Sequence, residues 1–280
     1  MGTPGGDVRV ETMNTFVVGD IHGCLHELHD LLRRLALLDR RLAWAGADTQ
    51  LWFLGDYTDR GPDGVGVIDL VIRLQREARA VGGHVTALLG NHDVILCNAF
   101  LFGPTLVPGF TLQGRSLSFE QMWLQHAGGR AEDAARIQPH HLTWLRTRPA
   151  LARTGDTLLM HADSSFYLDY GSSLSEVNTT IRRLLRGSDL AQRNRFEEQF
   201  ARRNEFLPRH TDDAGATGRL ERVLQTFRAR RLVHGHTPVF SLPGRRVADV
   251  TEPWAYQSGR CVNVDHGLVA GGPGFAFSLT

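Results

Sequence analysis

Aspartate, histidine and asparagine gather in three glycine-led blocks, Gly19-Asp20-Ile21-His22-Gly23, Gly55-Asp56-Tyr57-Thr58-Asp59-Arg60-Gly61 and Gly90-Asn91-His92-Asp93, each placed directly after an apolar run. Any one block alone reads as a capped turn, because Gly-Asp and Gly-Asn pairs punctuate every class of fold. Three in this order spell a site for two metal ions that hydrolyses phosphoesters. A phosphoester resists water because water is a poor nucleophile, the phosphoryl oxygens repel it and the leaving alkoxide is unstable. Two ions about 3.5–4 Å apart acidify a bridging water, neutralise those oxygens and fix an in-line geometry. One ligand must span both ions, which a carboxylate can do and an imidazole cannot. The carboxylates available at strand ends are Asp20 and Asp56.

The elements that carry these blocks follow from hydrophobic spacing. Thr15 to Val18 is short and β-branched and reads as a buried strand ending at Gly19-Asp20, and Leu25, Leu28, Leu31, Leu32, Leu35 and Leu38 then recur at helical spacing. The unit repeats with a strand over Gln50 to Leu54, a helix after Gly61-Pro62, and a third strand over His84 to Leu89. Two more apolar runs, Thr157 to Met160 and Arg231 to Val233, end at His161 and at His234-Gly235-His236. Ligands of open α/β sheets bind outside the carboxyl ends of the strands, so five such ends predict one shared cleft.

Between Asn98 and Arg153 the periodicity changes. Gly103-Pro104 and Pro108-Gly109 read as loop punctuation, and Phe119, Met122, Trp123, Leu142, Trp144 and Leu145 predict helices. The segment is too short for a generous core of its own and is expected to be a helical cap inside a single domain over 15–280, after a flexible start over 1–14. Helical patterns return over Val177 to Leu185, Leu190 to Phe206 and Leu220 to Phe227. The end, Arg260 to Val264 and Gly274 to Leu279, reads as two strands around a Gly-rich turn. Trp123 and Trp144 are expected as core anchors of the cap.

Composition narrows the partners. With 280 residues, 42% hydrophobic and 22% charged, a formal charge of +1 and a pI near 7.9, the chain reads as a soluble globular protein with no charge excess that favours nucleic acid or an anionic membrane. The three cysteines Cys24, Cys97 and Cys261 are too few and too scattered for a disulfide framework or a paired-cysteine zinc site. The first fifteen residues lack a secretory pattern, and no run approaches the roughly 20 apolar residues of a membrane span. The expected address is the cytoplasm.

The blocks match the pattern G-D-x-H-G, G-D-x-x-D-R-G, G-N-H-E or G-N-H-D, then two isolated histidines, and in this the chain resembles the calcineurin-like metallophosphoesterases of the phosphoprotein phosphatase type. Met160-His161-Ala162-Asp163, Gly235-His236-Thr237-Pro238 and Val262-Asn263-Val264-Asp265 followed by Gly271-Gly272 are similar to its bacterial and phage serine/threonine phosphatase branch. The third block ends in Asp93 where protein phosphatases commonly carry Glu. The resemblance covers roughly residues 15 to 280. It implies an α/β domain built as a four-layer αββα sandwich of two mixed sheets, with a helical insertion over the cleft.

The resemblance also implies roles. Asp20 and His22 would bind the first metal, Asp56 would bridge, and Asn91, His161 and His236 would bind the second. The cofactor implied is a pair of divalent ions, Mn²⁺ first, with Fe and Zn²⁺ compatible with the mixed oxygen and nitrogen donors. His92 would protonate the leaving group, held charged by Asp59, with Arg60 as a phosphate clamp and Asn91 also touching substrate. A second phosphate-binding arginine is expected from Phe200 to Asn204, with Arg202 favoured over Arg203. Spacing does not choose between His234 and His236; the resemblance selects His236 and leaves His234 as support or core. Asp265-His266 lies near the expected cleft without a chemical role.

The implied reaction is hydrolysis of phosphomonoesters, phosphoserine or phosphothreonine on proteins first, by direct attack of a hydroxide bridging the metals and without a phosphoenzyme. The alternatives are a dinucleoside polyphosphate hydrolase of the diadenosine tetraphosphate type, which needs room for two nucleotides, and a non-catalytic metal-binding scaffold. Against the scaffold stands the presence of every expected metal ligand together with Asp59, Arg60 and His92.

Overall fold

Each apolar run that ends in a chemical block is a short parallel strand in the computed structural model, which describes residues 14–208, 213–242 and 244–279. Apart from Asn14, the expected flexible start lies outside the described residues. Strand β1 (Thr15–Val18) leads through the first block into helix α1 (Leu25–Arg34), which buries Leu28, Leu31 and Leu32 on one face. Strand β2 (Gln50–Phe53) leads through the second block into α2 (Gly64–Ala80), whose first turn is capped by Asp63 accepting from the Gly66 amide at 2.8 Å. Strand β3 (His84–Ala87) leads into α3 (Asn91–Phe102), and β1, β2 and β3 pair in parallel. Helix α3 has no amphipathic stripe because residues 91 to 99 are buried all round, which is why spacing alone does not announce it.

The segment expected as helical over 98–153 is mixed. Strands β4 (Leu106–Leu112) and β5 (Arg115–Ser118) form a hairpin whose turn residues Gln113 and Gly114 have φ of 51° and 76°. Two adjacent positive-φ residues make the tight turn whose twist suits a hairpin. Pro108 and Gly109 therefore fall inside a strand rather than in a loop. The ladder slips register between Leu106 and Thr111, so it tolerates both residues. Short helices α4 (Phe119–Met122), α5 (Ala131–Ala134) and α6 (Pro139–Arg146) follow, with a single π-helical turn over 123–127 after α4.

The second sheet begins with β6 (Leu151–Thr154), antiparallel to β7 (Thr157–Met160). Helices α7 (Leu174–Arg186), α8 (Leu190–Phe200) and α9 (Ala214–Thr226) cover it, and β8 (Arg231–His234), β9 (Trp254–Tyr256) and β10 (Cys261–Asn263) complete the order β6-β7-β8-β10-β9. Strand β11 (Phe277–Ser278) then crosses back to the first sheet and pairs antiparallel with β1. The two closing strands are thus not partners of one another: β10 and β11 lie in different sheets. Each is three residues or fewer, too short for its pattern to name a neighbour.

Apolar side chains sort into three cores that define the layers. Leu28, Leu32, Phe53 and Val71 pack α1 and α2 on the outer face of the first sheet. Leu158, Ile181, Phe196 and Leu224 pack α7 to α9 on the outer face of the second. Val17, Leu54, Leu88, Leu159, Val233 and Val262 fill the space between the sheets. The result is the expected αββα sandwich, in which alternate residues of one strand face different cores. Truncating one of these fully buried positions, such as Leu159→Ala, is expected to cost about 2–5 kcal/mol.

Candidate active site

Five strand ends converge on one place. Asp20 and His22 follow β1, Asp56 follows β2, Asn91 and His92 open α3 after β3, His161 follows β7 and His236 follows β8. All seven are at least nine-tenths buried. The loops bend sharply: His22, Asp56, Asp59, Arg60 and His236 have φ between 48° and 74°, the left-handed region that costs a non-glycine residue roughly 1–3 kcal/mol. The second and third loops touch where they turn. A Cβ on Gly90 would stand 2.2 Å from Asp56 Oδ1, and one on Gly235 would stand 2.3 Å from Asp20 Oδ1.

The hydrogen bonds orient donors and lone pairs. His22 Nδ1 lies 3.0 Å from the Thr58 carbonyl, so its proton is spent there and Nε2 turns a lone pair toward Asp56 Oδ2 at 3.6 Å and Asp20 Oδ2 at 3.9 Å. His161 repeats the arrangement. Its Nδ1 lies 3.0 Å from the Leu54 carbonyl, while Nε2 faces Asn91 Oδ1 at 2.9 Å and Asp56 Oδ1 at 3.4 Å. His236 Nε2 lies 3.2 Å from the Ala201 carbonyl, and a nitrogen of this ring stands within 4.8 Å of ligand atoms of His161 and Asp56. His161 Nε2 thus faces the oxygens of Asn91 and Asp56, while the His22 Nε2 lone pair, beside Asp20 and Asp56, accepts from Arg60 Nη1; such a gathering of carboxylate, amide and imidazole donors suits a divalent cation.

The titration of these groups has the same cause. Burial, then the charges of Asp265 and Asp56, raises Asp20 well above the usual carboxylate range, and burial followed by Asp93 raises Asp56. Burial, then His92 and Arg60, lowers His22; burial takes His161 down to about 3; burial and His161 lower His236. Desolvation thus presses the carboxylates to gain protons and the imidazoles to lose theirs. Divalent cations would offset both pressures, since they favour ionised carboxylates and neutral imidazole ligands.

Beside this cluster sits a second set. His92 Nδ1 lies 2.7 Å from Asp59 Oδ2, and Asp59 Oδ1 accepts from the Trp123 indole at 2.7 Å and from Thr58 Oγ1 at 3.2 Å. Burial pushes Asp59 up to about 7 against the lowering effect of those two donors. His92 Nε2 points out to Arg60 Nη2 at 2.8 Å, and Arg60 Nη1 reaches His22 Nε2 at 2.7 Å. The Arg60 backbone is fixed by its amide bonding the Gly128 carbonyl at 2.6 Å.

Of the two expected arginines, Arg203 is the one whose charge acts on His92, His161, His236 and Asp265. Arg202 acts instead on Tyr170 and Glu205. Helix α8 ends at Phe200, and the backbone is left-handed at Asn204, with φ of 62°.

Four groups escaped the sequence reading. The Asp93 carboxylate accepts from the amides of Gly90, Asp56 and Tyr57 at 2.7, 3.2 and 3.2 Å, tying the third loop to the second. Asp265 is buried and raises Asp20. Asp163 accepts from the Asn204 amide. Trp123, expected as a core anchor, is buried but also bonds Asp59. Asp93, Asp163 and Asp265 each close a block read in the sequence, but their partners, like that of Trp123, lie far away in the chain and were not visible there. His234 does not join the ligand cluster, since its Nε2 lies 2.9 Å from Tyr256 Oη. A further grouping, Asp69 with His140 and His141, is structural: His141 Nδ1 accepts from the Gln138 amide at 3.0 Å, leaving Nε2 to donate to Asp69 at 3.0 Å.

A sandwich with paired carboxylates and imidazoles at its strand ends defines a metal-dependent phosphoester hydrolase. A family model described as calcineurin-like phosphoesterase matches residues 13–240, and the chain belongs to that family. A symmetrical bis(5'-nucleosyl)-tetraphosphatase of Chromohalobacter salexigens is 27% identical over 79% of this chain and 68% of its own length. One of Burkholderia mallei with the same description is 28% identical over 90% and 82%. Among solved structures, a cold-active protein tyrosine phosphatase superposes with a TM-score of 0.69 at 20% identity, over 95% of this chain and 73% of its own, a likeness of fold. Among the described residues no helix is long and apolar enough to cross a membrane.

Proposed function

We propose that the chain is a dinuclear-metal phosphomonoesterase in which Asp20, His22 and Asp56 hold one ion and Asp56, Asn91, His161 and His236 hold the other. The observation that carries this reading is the gathering of His22 Nε2, 3.6 Å from Asp56 and 3.9 Å from Asp20, and of His161 Nε2, 3.4 Å from Asp56, around one pair of buried carboxylates. Carboxylate, amide oxygen and imidazole donors suit Mn²⁺, with Fe and Zn²⁺ as competitors. Two bound ions would acidify water and neutralise phosphoryl oxygens.

The chain's own residues do the rest. Arg60 and Arg203 grip the phosphoryl oxygens, Arg203 taking the place expected for Arg202. His92, oriented by Asp59 through Nδ1, would give a proton from Nε2 to the departing oxygen once Arg60, which that nitrogen accepts from here, has turned to the phosphoryl group and Nε2 is protonated. Such an acid matters most for an alkoxide, which is why a phosphomonoester of an alcohol, including phosphoserine or phosphothreonine, is our first substrate class. Support comes also from the insert. Trp123 is committed to Asp59, and Trp144 to Gln75 and the Arg148 stack, so neither tryptophan is left to stack a base.

A second reading, hydrolysis of dinucleoside polyphosphates, is favoured by the description shared by the two relatives above. The deciding experiment is to incubate Mn²⁺-loaded protein with phosphopeptides, diadenosine tetraphosphate and phosphodiesters. A strong preference for the dinucleotide would replace the first reading, and failure to hydrolyse even p-nitrophenyl phosphate with any divalent metal would return the chain to a binding role.

A further inference from the structure

Arg203 is exposed, its side chain makes no hydrogen bond or ion pair among the described residues, and it lies two positions after Ala201, whose carbonyl touches the site residue His236. A long side chain with no partner of its own is aimed only by its backbone. That backbone is pinned on both sides. Upstream, the Ala201 carbonyl meets His236 Nε2 at 3.2 Å. Downstream, the Asn204 amide donates to Asp163 Oδ1 at 2.7 Å and the Glu205 amide donates to the Asp163 carbonyl at 3.1 Å.

Asp163 is itself locked in place. It is 1% exposed, and its other carboxylate oxygen accepts from Tyr256 Oη at 3.0 Å; Tyr256 lies in β9 and is steadied by His234 Nε2 at 2.9 Å. Glu205 reaches back across the same seam, accepting from Ser164 Oγ and the Ser165 amide at 2.8 Å each and from Ser165 Oγ at 2.6 Å. The loop after His161 and the loop carrying Arg203 are thereby joined as one piece, and Asn204, at the join, is left-handed. A helix C-terminus followed by irregular chain would otherwise be free to swing the arginine away.

Resting on the reading of Arg203 as a phosphate clamp, we infer that Asp163, held by Tyr256, is the residue that positions Arg203 for the phosphoryl group. Asp163 touches neither substrate nor metal in this role. It fixes the stretch of backbone from which Arg203 reaches, so its contribution belongs to phosphate affinity and passes through Arg203 alone.

The test is a double-mutant cycle read by calorimetry of inorganic phosphate binding to Mn²⁺-loaded protein, with metal content and melting temperature measured for every variant. Arg203→Ala should weaken phosphate roughly 10- to 100-fold, as expected for losing a charge-assisted contact. Asp163→Ala should weaken it by several-fold to tenfold in the parent, and by less than about twofold in the Arg203→Ala background. Asp163→Asn, which keeps an acceptor for the Asn204 amide, should recover most of the loss, and Tyr256→Phe should show a smaller loss that also vanishes without Arg203. Equal losses in both backgrounds would overturn the inference, because an ordinary structural defect would not depend on Arg203. If Asp163→Ala does not fold, the Asn and Phe variants close the same cycle. Unchanged phosphate binding in Arg203→Ala would instead remove the clamp reading itself, a result distinguishable from failure of the positioning role.

Discussion

The indole N–H of Trp123 is bonded to Asp59 Oδ1 at 2.7 Å, across 64 residues of chain, while the other oxygen of that carboxylate holds His92. A residue of the inserted segment thus opposes the effect of burial on the carboxyl that orients the proposed acid. Removing the donor in Trp123→Phe should let burial raise Asp59 beyond its present value of about 7. A larger share of Asp59 would then be protonated at neutral pH, so the acidic limb of the pH–rate profile should move to higher pH. Turnover at pH 7 should fall about tenfold with metal content unchanged, in line with the loss of one hydrogen bond to a charged group. An unmoved profile would detach Trp123 from the chemistry.

His92→Asn should lower kcat by about 10²–10⁴. The loss should be larger for alkyl phosphates than for p-nitrophenyl phosphate, whose leaving group needs little protonation, and the protein should still bind two ions. Normal turnover of an alkyl phosphate by this variant would sink the general-acid role.

Gly235 allows the fifth strand end to lie against the first, for an added Cβ would stand 2.3 Å from Asp20 Oδ1. Gly235→Ala should therefore displace a ligand without touching the core, lowering metal affinity about 10- to 100-fold, the range seen when groups that orient ligands are changed. Asp56→Asn should lose metal and activity together, since it removes the proposed bridge. Elemental analysis after gel filtration checks both; a fully metallated, active Asp56→Asn protein would exclude the bridging role.

Glu197 gives the folded state a dependence on pH away from the metal cluster. Burial holds its carboxyl up at about 7, above its ordinary value of 4.5, despite hydrogen bonding from Asn98. Between these values the folded chain binds the proton more tightly than the unfolded chain, so stability is greatest below about pH 4.5 for this group and declines as pH rises through 7. The decline totals about 3 kcal/mol at most. Glu197→Gln, which keeps an acceptor for the Asn98 amide at 2.5 Å, should flatten the denaturant midpoint between pH 5 and 8. An unchanged slope would show that Glu197 ionises normally.

Much of the architecture was legible because the chemical blocks sit where strand periodicity stops and helical periodicity begins, as at Val18 to Leu25. The sandwich itself rested on the resemblance, since β10 and β11 are too short to declare their sheets. The hairpin over 106–118 was obscured by Pro108 and Gly109, which a slipped edge ladder accommodates. Residues of ligand type stood out inside the blocks, while the roles expected of them came from the resemblance. Asp163 and Asp265 stood in such blocks and Trp123 as a core anchor, but what each acts on was hidden, because that residue is brought near only by packing.

The return of β11 to the first sheet has a mechanical consequence. The chain crosses between the halves of the sandwich once through the inserted segment and once more near its end, while Asp20, Asp56 and Asn91 come from one half and His161 and His236 from the other. Ions held between them would act as a clasp on a book whose spine is the apolar seam of Val17, Leu159 and Val233. Stripping the metal would then loosen the whole cover: amide exchange should quicken on both sheets together, not only in the loops that hold the clasp.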